Sequence, residues 1–556
     1  MDDNTVFGID LGTTHSCIAY IDEASGRPAL VTNAEGDLTT PSVVLFEGAD
    51  RVVGKEAKNA AVMYTDRVVA MVKRQMGVAD WRFSYEGQDY TAEEISSYVL
   101  RKLAGDTKEM LGLPVREVVI TCPAYFGIAE REATAKAGEI AGLKVLEVIN
   151  EPTAAAISYG VHADGDQTVL VYDLGGGTFD VTLIEIKDGS VRVVATDGDH
   201  LLGGRDWDEA VVDYLAGQWQ QETGSPDDPK DSEETLQDLW QRAEDGKRAL
   251  STRSETRITV SHGGQRVAVT LTREKFDELT AHLLERTVEF TKAVLAVGGE
   301  LGGGSFDKLL LVGGSTRMPQ VAARLNREFT VTPVMHDPDQ SVAKGAAIYA
   351  QKLKLGEVIR TEIGELTGKQ NTPVDKDSVS AEVYQQAVEN VATRAGLVME
   401  AVKKIDRMTV TNVASKSFGI VVLDRVDGTE REVISNLVLA QEPVPVTKSQ
   451  TYATVEVDQP RVDIRVMENG QRDRTVPLEH GRAIGLAVLP LCDGLPSGSP
   501  VDVTFELTPD GRLKVTGQDL AESGAETVAV VETDRGLSEE ELRQAKERAG
   551  GLKVSG

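Results

Sequence analysis

The spacing of hydrophobic and polar positions divides the chain into stretches of different character. Residues 6–21 read VFGIDLGTTHSCIAYI and residues 169–186 read VLVYDLGGGTFDVTLIEI. In each, an apolar run leads into Asp-Leu-Gly, small residues follow, and a second alternating run begins. Apolar runs on either side of a glycine-containing turn predict β-hairpins. Asp10 and Asp173 stand at matching places, which predicts a duplicated domain whose halves face each other across a cleft. A third turn at residues 309–318, LLLVGGSTRM, again sets two glycines directly after a buried strand. Between these, residues 128–141 and 236–250 carry a 3.6-residue period. Strands followed by helices, twice over to about residue 350, predict an α/β architecture with mixed sheets.

Beyond residue 351 the character changes. Residues 356–377 are polar and hold Gly356, Gly364, Gly368 and Pro373, which reads as a linker. Val379, Val383, Ala387, Val388, Val391 and Ala395 then recur at three- and four-residue intervals and predict an amphipathic helix. From residue 410 to 531 short alternating runs such as TYATVEV and VDVTFELTPDG are separated by turn signals, the pattern of an all-β sandwich. Near the end, Ser538 and Glu541 form a capping box that opens a last helix.

A length of 556 residues suits two to four domains, and 41% hydrophobic with 27% charged residues excludes wholesale disorder. Lys and Arg number 59 against 89 Asp and Glu, a net charge of −30. That balance argues against nucleic acid and against anionic membranes as partners. A phosphate ligand would need a cation with it, most simply a divalent metal. The three cysteines, Cys17, Cys122 and Cys492, lie far apart and suit neither a zinc site nor a disulfide framework, so a reducing compartment is expected. The start, MDDNTVFGID, lacks the basic and apolar regions of a signal peptide, and no 18-residue apolar run occurs. The expected location is cytoplasmic.

The chemistry concentrates in the front half. Glycines in tight turns let successive backbone N–H groups form an anion nest. Carboxylates at a strand end suit Mg²⁺, which keeps most of its waters. Asp10-Leu11-Gly12-Thr13-Thr14 and Asp173-Leu174-Gly175-Gly176-Gly177-Thr178 offer both, with threonine hydroxyls as further donors. Lys73 and Arg74 supply adjacent cations in VVAMVKRQMG, and Glu244, Lys247 and Arg248 share one helical face.

The motifs FGIDLGTTHSCIAY, VVITCPAYF, INEPTAAAISYG, YDLGGGTFDVTLIEI, LLGGRDWD, LTREKFDEL and LVGGSTRMP follow one another over residues 7–319. In this order they strongly resemble the 70-kDa heat-shock chaperones of the DnaK type, and the phosphate motifs are shared with actin and sugar kinases. The resemblance is close over about residues 5–353 and looser over 406–545. It implies an actin-like, ribonuclease H-like duplicated ATPase domain followed by an all-β peptide-binding sandwich. The implied division is an ATPase domain at 1–353, an inserted linker with its helix at 354–405, a sandwich at 406–533 and the start of a truncated helical lid at 534–556.

Residue by residue, the resemblance implies that Asp10 and Asp173 hold Mg²⁺ through water. Gly12, Thr13, Thr14, His15, Gly175, Gly176, Gly177, Thr178, Gly203 and Gly204 would surround the phosphates. Lys73 would touch the γ-phosphate and the attacking water, with Glu151 and Asp180 positioning that water or the metal shell. Glu244, Lys247, Arg248 and Ser251 would hold the adenosine against Gly313, Gly314, Ser315, Arg317 and Asp339. Cofactors would be ATP or ADP with Mg²⁺, and K⁺ is a further candidate. Partners would be unfolded or extended client polypeptides, with a J-domain co-chaperone and a nucleotide-exchange factor beside them. Ile420, Leu423, Tyr452, Val455, Val462 and Ile464 would line the peptide cleft. A metabolite kinase on the same fold, or a nucleotide-sensing scaffold with weak coupling, are the alternatives.

Three departures stand out. His15 occupies the place of the family's usual Tyr. The short apolar linker is not recognisable in Asp406-Arg407-Met408-Thr409-Val410-Thr411, which follows an insertion of about 50 residues, so coupling between the halves is expected to be altered. With only the first turns of a lid, bound peptide should leave quickly.

Overall fold

The computed structural model describes residues 5–160, 165–369, 372–395, 398–426, 428–509, 511–521, 526–531 and 537–556. Its front half contains two sheets built on one plan. In the first, the strands Lys144–Asn150, Glu117–Cys122, Val6–Asp10, His15–Asp22 and Arg27–Leu30 lie side by side in that order. In the second the order is Val334–Met335, Lys308–Val312, Gln167–Leu174, Phe179–Lys187, Ser190–Asp199 and Val410–Thr411. Each central hairpin is antiparallel, and in each its first strand also pairs in parallel with a later strand. The two predicted hairpins are therefore present; Asp10 ends its first strand and Asp173 stands one residue before the end of its own.

The sheets meet through the helices Glu151–Gly160 and Ser341–Leu366. Contact here is backbone to backbone. A Cβ on Gly8 would overlap Ala347, and one on Gly345 would overlap the Ala154 carbonyl. Outside the sheets, Trp207, Val211, Leu215 and Trp219 bury one face of the Gly204–Thr223 helix in the second lobe.

The linker expected at 356–377 does not begin at Gly356. The helix from Ser341 runs unbroken to Leu366, because Leu355, Ile359 and Ile363 keep a helical stripe that packs against Ala387, Val388 and Val391 of the Ala381–Ala395 helix. The latter is the predicted amphipathic helix. A further helix, Met399–Arg407, completes this small cluster by burying Val402.

The segment that follows docks rather than dangles. Val410–Thr411 pairs in parallel with Val191 and Arg192 as the edge strand of the second sheet, and the Val191 N–H donates to the Thr409 carbonyl at 2.8 Å. Met408 and Val413 are buried with it.

The β region forms two sheets. One holds Thr475–Pro477, Thr429–Val438, Ser417–Val426, Arg461–Asn469 and Gly481–Pro490; the other holds Val446–Ala453, Pro500–Leu507, Leu513–Asp519 and Glu526–Val531. Alternate residues of both meet in a core around Phe418, Val466, Phe505 and Val515. Ser538 and Glu541 cap the helix Glu539–Gly551 as the sequence predicts. This helix does not cover the sandwich. It lies on the front half, where Leu537, Ala545 and Ala549 join the core of the helices Ala92–Leu111 and Ile128–Ile140. No helix among the described residues is long and apolar enough to cross a membrane.

Candidate functional site

A cleft of about 630 Å³ opens between the two lobes. The hairpin turns form its floor: Gly12, Thr13, Thr14 and His15 from one side, Gly175, Gly176 and Thr178 from the other. The turns touch. A side chain on Gly176 would collide with Thr14, and one on Gly177 with Thr13. Gly203 packs so closely on Gly177 and Thr178 that a Cβ would overlap their backbone, and a Cβ on Gly204 would meet Ser315. The Gly204 and Arg205 N–H groups donate to the Gly175 and Gly176 carbonyls at 2.9 and 2.7 Å. Glycine is thus required here by close approach, which leaves a bare backbone surface on the scale that a phosphate chain needs.

At the inner end stand Asp10, Glu151, Asp173, Asp180 and Lys73. Lys73 is buried and ion-paired to Glu151. Met71, at φ 60°, bends the chain into the short helical turn Val72–Gln75 that turns Lys73 inward. Such a conformation is uncommon outside glycine and marks a constrained turn. Burial, and then the Glu151 charge, pushes the Asp10 carboxyl up to about 7 against the pull of Lys73. Burial followed by the Glu151 charge also raises Asp173 and Asp180 well above the carboxylate range. Burial opposes the Lys73 charge, but Glu151 and Asp10 hold its ammonium above the ordinary value. The Asp180 carboxylate accepts the Ala124 N–H at 2.9 Å.

Four acids around one ammonium form an excess of negative charge that a divalent cation would relieve. Among the described residues no three His, Cys, Asp or Glu side chains are arranged to hold a metal ion directly. Carboxylates spread around a roomy cleft fit Mg²⁺ retained through its own waters. The residues fit the group.

At the outer end, Glu244, Lys247, Arg248 and Ser251 face Gly313, Gly314, Ser315, Arg317 and Asp339. Lys247 donates to Asp208 at 2.8 Å, Arg248 to Glu244 at 2.6 Å, and the Ser315 hydroxyl to the Gly175 carbonyl at 2.9 Å. Arg317 pairs with Asp339 at 2.5 Å. Lys58 of the first lobe reaches across the cleft mouth to Glu244 at 2.6 Å. Burial favours the neutral acid, yet Lys58 and Arg248 hold the Glu244 carboxyl down to about 2. His15 sits beneath this pair. Burial first, then the Lys58 and Arg248 charges, lowers its imidazole to about 4, so it is neutral at physiological pH.

The cleft thus gathers almost every front-half residue singled out in the sequence. Gly177, Gly203, Gly204 and Asp180 lie just behind its lining, as supports. Lys58, Arg205, Gln237, Trp240 and Gln241 also line it and were not singled out. For Lys58 no signal existed, since the two lysines of KEAKNA read as a solvated helix face. The i to i+4 spacing of Trp240 and Glu244 was a usable clue.

The six sandwich residues do not share one surface. Ile420 and Ile464 are buried in the sandwich core, Tyr452 and Val462 lie at its margin, and Leu423 and Val455 are exposed. Ile420 and Leu423 stand three apart on Ser417–Val426 and face opposite sides, and Val462 shares the inward face of Ile464 on Arg461–Asn469. Tyr452 belongs to the other sheet, and Val455 lies beyond the end of Val446–Ala453, so the expected lining is not one cleft. The Tyr452 hydroxyl hydrogen-bonds the Ser435 hydroxyl at 3.1 Å.

Comparison with known proteins agrees with this arrangement along the whole chain. The family model described as Hsp70 protein matches residues 6–363 and 357–553. Two proteins named Chaperone protein DnaK, from the R1 and NRC-1 strains of Halobacterium salinarum, are each 36% identical over 557 aligned residues, spanning 99% of this chain and 78% of theirs. A paired-lobe cleft with matched acidic hairpins, a β-sandwich behind it and a family match at both ends lead to one conclusion: the chain belongs to the Hsp70 family of ATP-hydrolysing chaperones.

Proposed function

We propose that this cleft binds ATP with Mg²⁺, hydrolyses it, and passes its state to a sandwich that holds extended apolar segments of unfolded polypeptides. The carrying observation is the convergence of Asp10, Asp173, Lys73 and Glu151 on the two glycine turns. On this reading the front half is a duplicated actin-like ATPase domain at 1–353, followed by an insertion at 354–405 and a sandwich at 406–533 whose first strand, Val410–Thr411, is lent to the ATPase sheet. The helix Glu539–Gly551 serves the ATPase half and not as a lid. When bound, the metal supplies charge neutralisation for the phosphoryl group. The chain's own residues do the rest. Asp10 and Asp173 hold the ion's waters, and the glycine turns with Thr13, Thr14 and Thr178 grip the phosphates through N–H and O–H donors. Lys73 stabilises charge on the γ-phosphoryl, and Glu151 and Asp180 orient the attacking water. Positioning and electrostatic stabilisation are what phosphoryl transfer needs. Glu244, Lys247, Arg248 and Ser251 hold the nucleoside.

The docked strand Val410–Thr411 supports coupling to the sandwich and tells against an uncoupled scaffold. A metabolite kinase has no use for such a strand. Cytoplasmic residence suits three free cysteines, Cys17 and Cys122 buried and Cys492 exposed, and a J-domain protein and an exchange factor are the partners the family offers.

Single-turnover hydrolysis tests the site. Lys73→Ala removes the only cation among four acids and should slow the chemical step by about 100-fold or more, as losing one transition-state donor does. Asp10→Asn should impair Mg²⁺-dependent turnover comparably. Normal turnover by both variants would refute the assignment. Release of a fluorescent apolar peptide, faster with ATP than with ADP, tests the coupling.

A further inference from the structure

Among the described residues that line the cleft, one cation forms no ion pair. Arg205, the first residue after Gly204 in the Gly204–Thr223 helix, lays its guanidinium over the Trp240 ring, 3.0 Å from the centroid. Apart from that stacking, the side chain makes no hydrogen bond or ion pair among the described residues. This is unusual in a chain with 89 acidic residues. The nearby acids are otherwise engaged: Asp208 by Lys247 at 2.8 Å, and Glu244 by Lys58 and Arg248, both at 2.6 Å. Glu209, one turn along, is exposed and makes no ion pair with it. Burial lowers the guanidinium to about 10, which still leaves it charged at neutral pH. A half-buried charge without a counter-ion is costly, and stacking on an aromatic face compensates it only in part.

Its location decides what could complete it. The Arg205 N–H bonds the Gly176 carbonyl at 2.7 Å, so its Cα stands on the glycine turn. From the other lobe, the Arg74 Nε bonds the Gly177 carbonyl at 2.9 Å. The Arg74 guanidinium from one lobe and the Arg205 backbone from the other therefore hold the same glycine turn, and the Arg205 side chain starts from its edge. Arg74 is neutralised by Asp206 at 2.9 Å; Arg205 is not. We propose that Arg205 is a polyphosphate-binding residue of the nucleotide cleft, parked on Trp240 until the phosphate chain of the bound nucleotide draws it off the ring. This rests on the reading of the cleft as a nucleotide site.

The test is equilibrium binding of ATP, ADP and adenosine to the full chain by calorimetry, with Trp240 emission followed in parallel. Arg205→Gln should weaken ATP and ADP by about tenfold, the scale of one charge-assisted hydrogen bond, and leave adenosine unchanged. Arg205→Lys should restore part of the loss. In the wild type, ATP should change the tryptophan emission, and this change should vanish in Arg205→Gln and in Trp240→Phe, whereas adenosine should produce none. Wild-type ATP affinity in Arg205→Gln would overturn the proposal, as would an equal loss for ATP and adenosine, which would mark Arg205 as a support for the base site. Failure of the wild type to bind ATP at all would overturn the nucleotide reading, and this assignment with it.

Discussion

A histidine on the floor of the cleft shows how one side chain can carry a pH dependence without taking part in chemistry. His15 is held near 4 by burial and by the Lys58 and Arg248 charges, against about 6.5 for the unfolded chain. Its depressed value means that the unfolded state takes up a proton first as pH falls. The contribution to stability is therefore complete above about 6.5 and is lost progressively down to about 4. At pH 5 the loss is about 2 kcal/mol. Urea unfolding of the front half at pH 7.5 and pH 5 should show that much less acid sensitivity in His15→Asn than in the wild type; identical sensitivity would mean the imidazole is solvated. At this scale the acids were legible and some cations were not. Asp10 and Asp173 announce themselves because each ends an apolar run at a glycine turn, whereas Lys58 and Arg205 matter through neighbours that lie 186 and 35 residues away in sequence.

At the scale of elements, the hydrophobic period gave the hairpins, the sandwich strands and the helix Ala381–Ala395, and failed where glycine was taken for punctuation. Gly356 and Gly364 lie inside the Ser341–Leu366 helix. Gly364 is needed there for proximity, since a Cβ would overlap the Thr372 carbonyl where the chain folds back. The same helix crosses the Glu151–Gly160 helix with no room for a side chain at Gly345. Gly345→Val should therefore cost about 3 kcal/mol or more, the scale of severe overpacking, read as a lower urea midpoint. An unchanged midpoint would mean the two helices can separate freely. The docked strand was read into the wrong sheet. The alternating pattern from residue 410 reads as sandwich, and nothing local in Met408-Thr409-Val410-Thr411 tells that it joins the exposed edge of Ser190–Asp199. Thr411→Pro deprives that edge of the N–H that the parallel register of Val410 with Val191 turns toward it. Peptide release should then proceed at nearly equal rates in ATP and ADP, with hydrolysis in the absence of peptide retained.

For the molecule as a whole, the front half and the sandwich are joined by polar contacts that no local pattern encodes. Gln441 forms a double hydrogen bond with the Thr196 backbone at 2.9 and 2.7 Å, and the Ser415 hydroxyl donates to the Phe126 carbonyl at 3.1 Å. Arg482 of the sandwich pairs with Glu468 beside it and with Glu130 of the front half at 3.3 Å. Glu468 is almost wholly buried, and burial first of all raises its carboxyl, with the Glu130 charge adding to the rise and Arg482 countering it. The interface thus places two acids around a single guanidinium. Removing that cation leaves a buried acid facing another across the junction, which costs far more than an exposed ion pair would contribute. Arg482→Ala should accordingly favour separation of the sandwich from the ATPase half, because separation exposes Glu468 and Glu130 to water. A shift of about 1.4 kcal/mol is a tenfold change in the balance between joined and separated forms. If ATP quickens peptide release by holding the two together, release from Arg482→Ala in ATP should slow toward its ADP rate. The double variant Arg482→Ala/Glu468→Gln should recover the difference, since it removes the stranded charge as well. Failure of that rescue, with release still slow, would show that the guanidinium acts through some contact other than this acid.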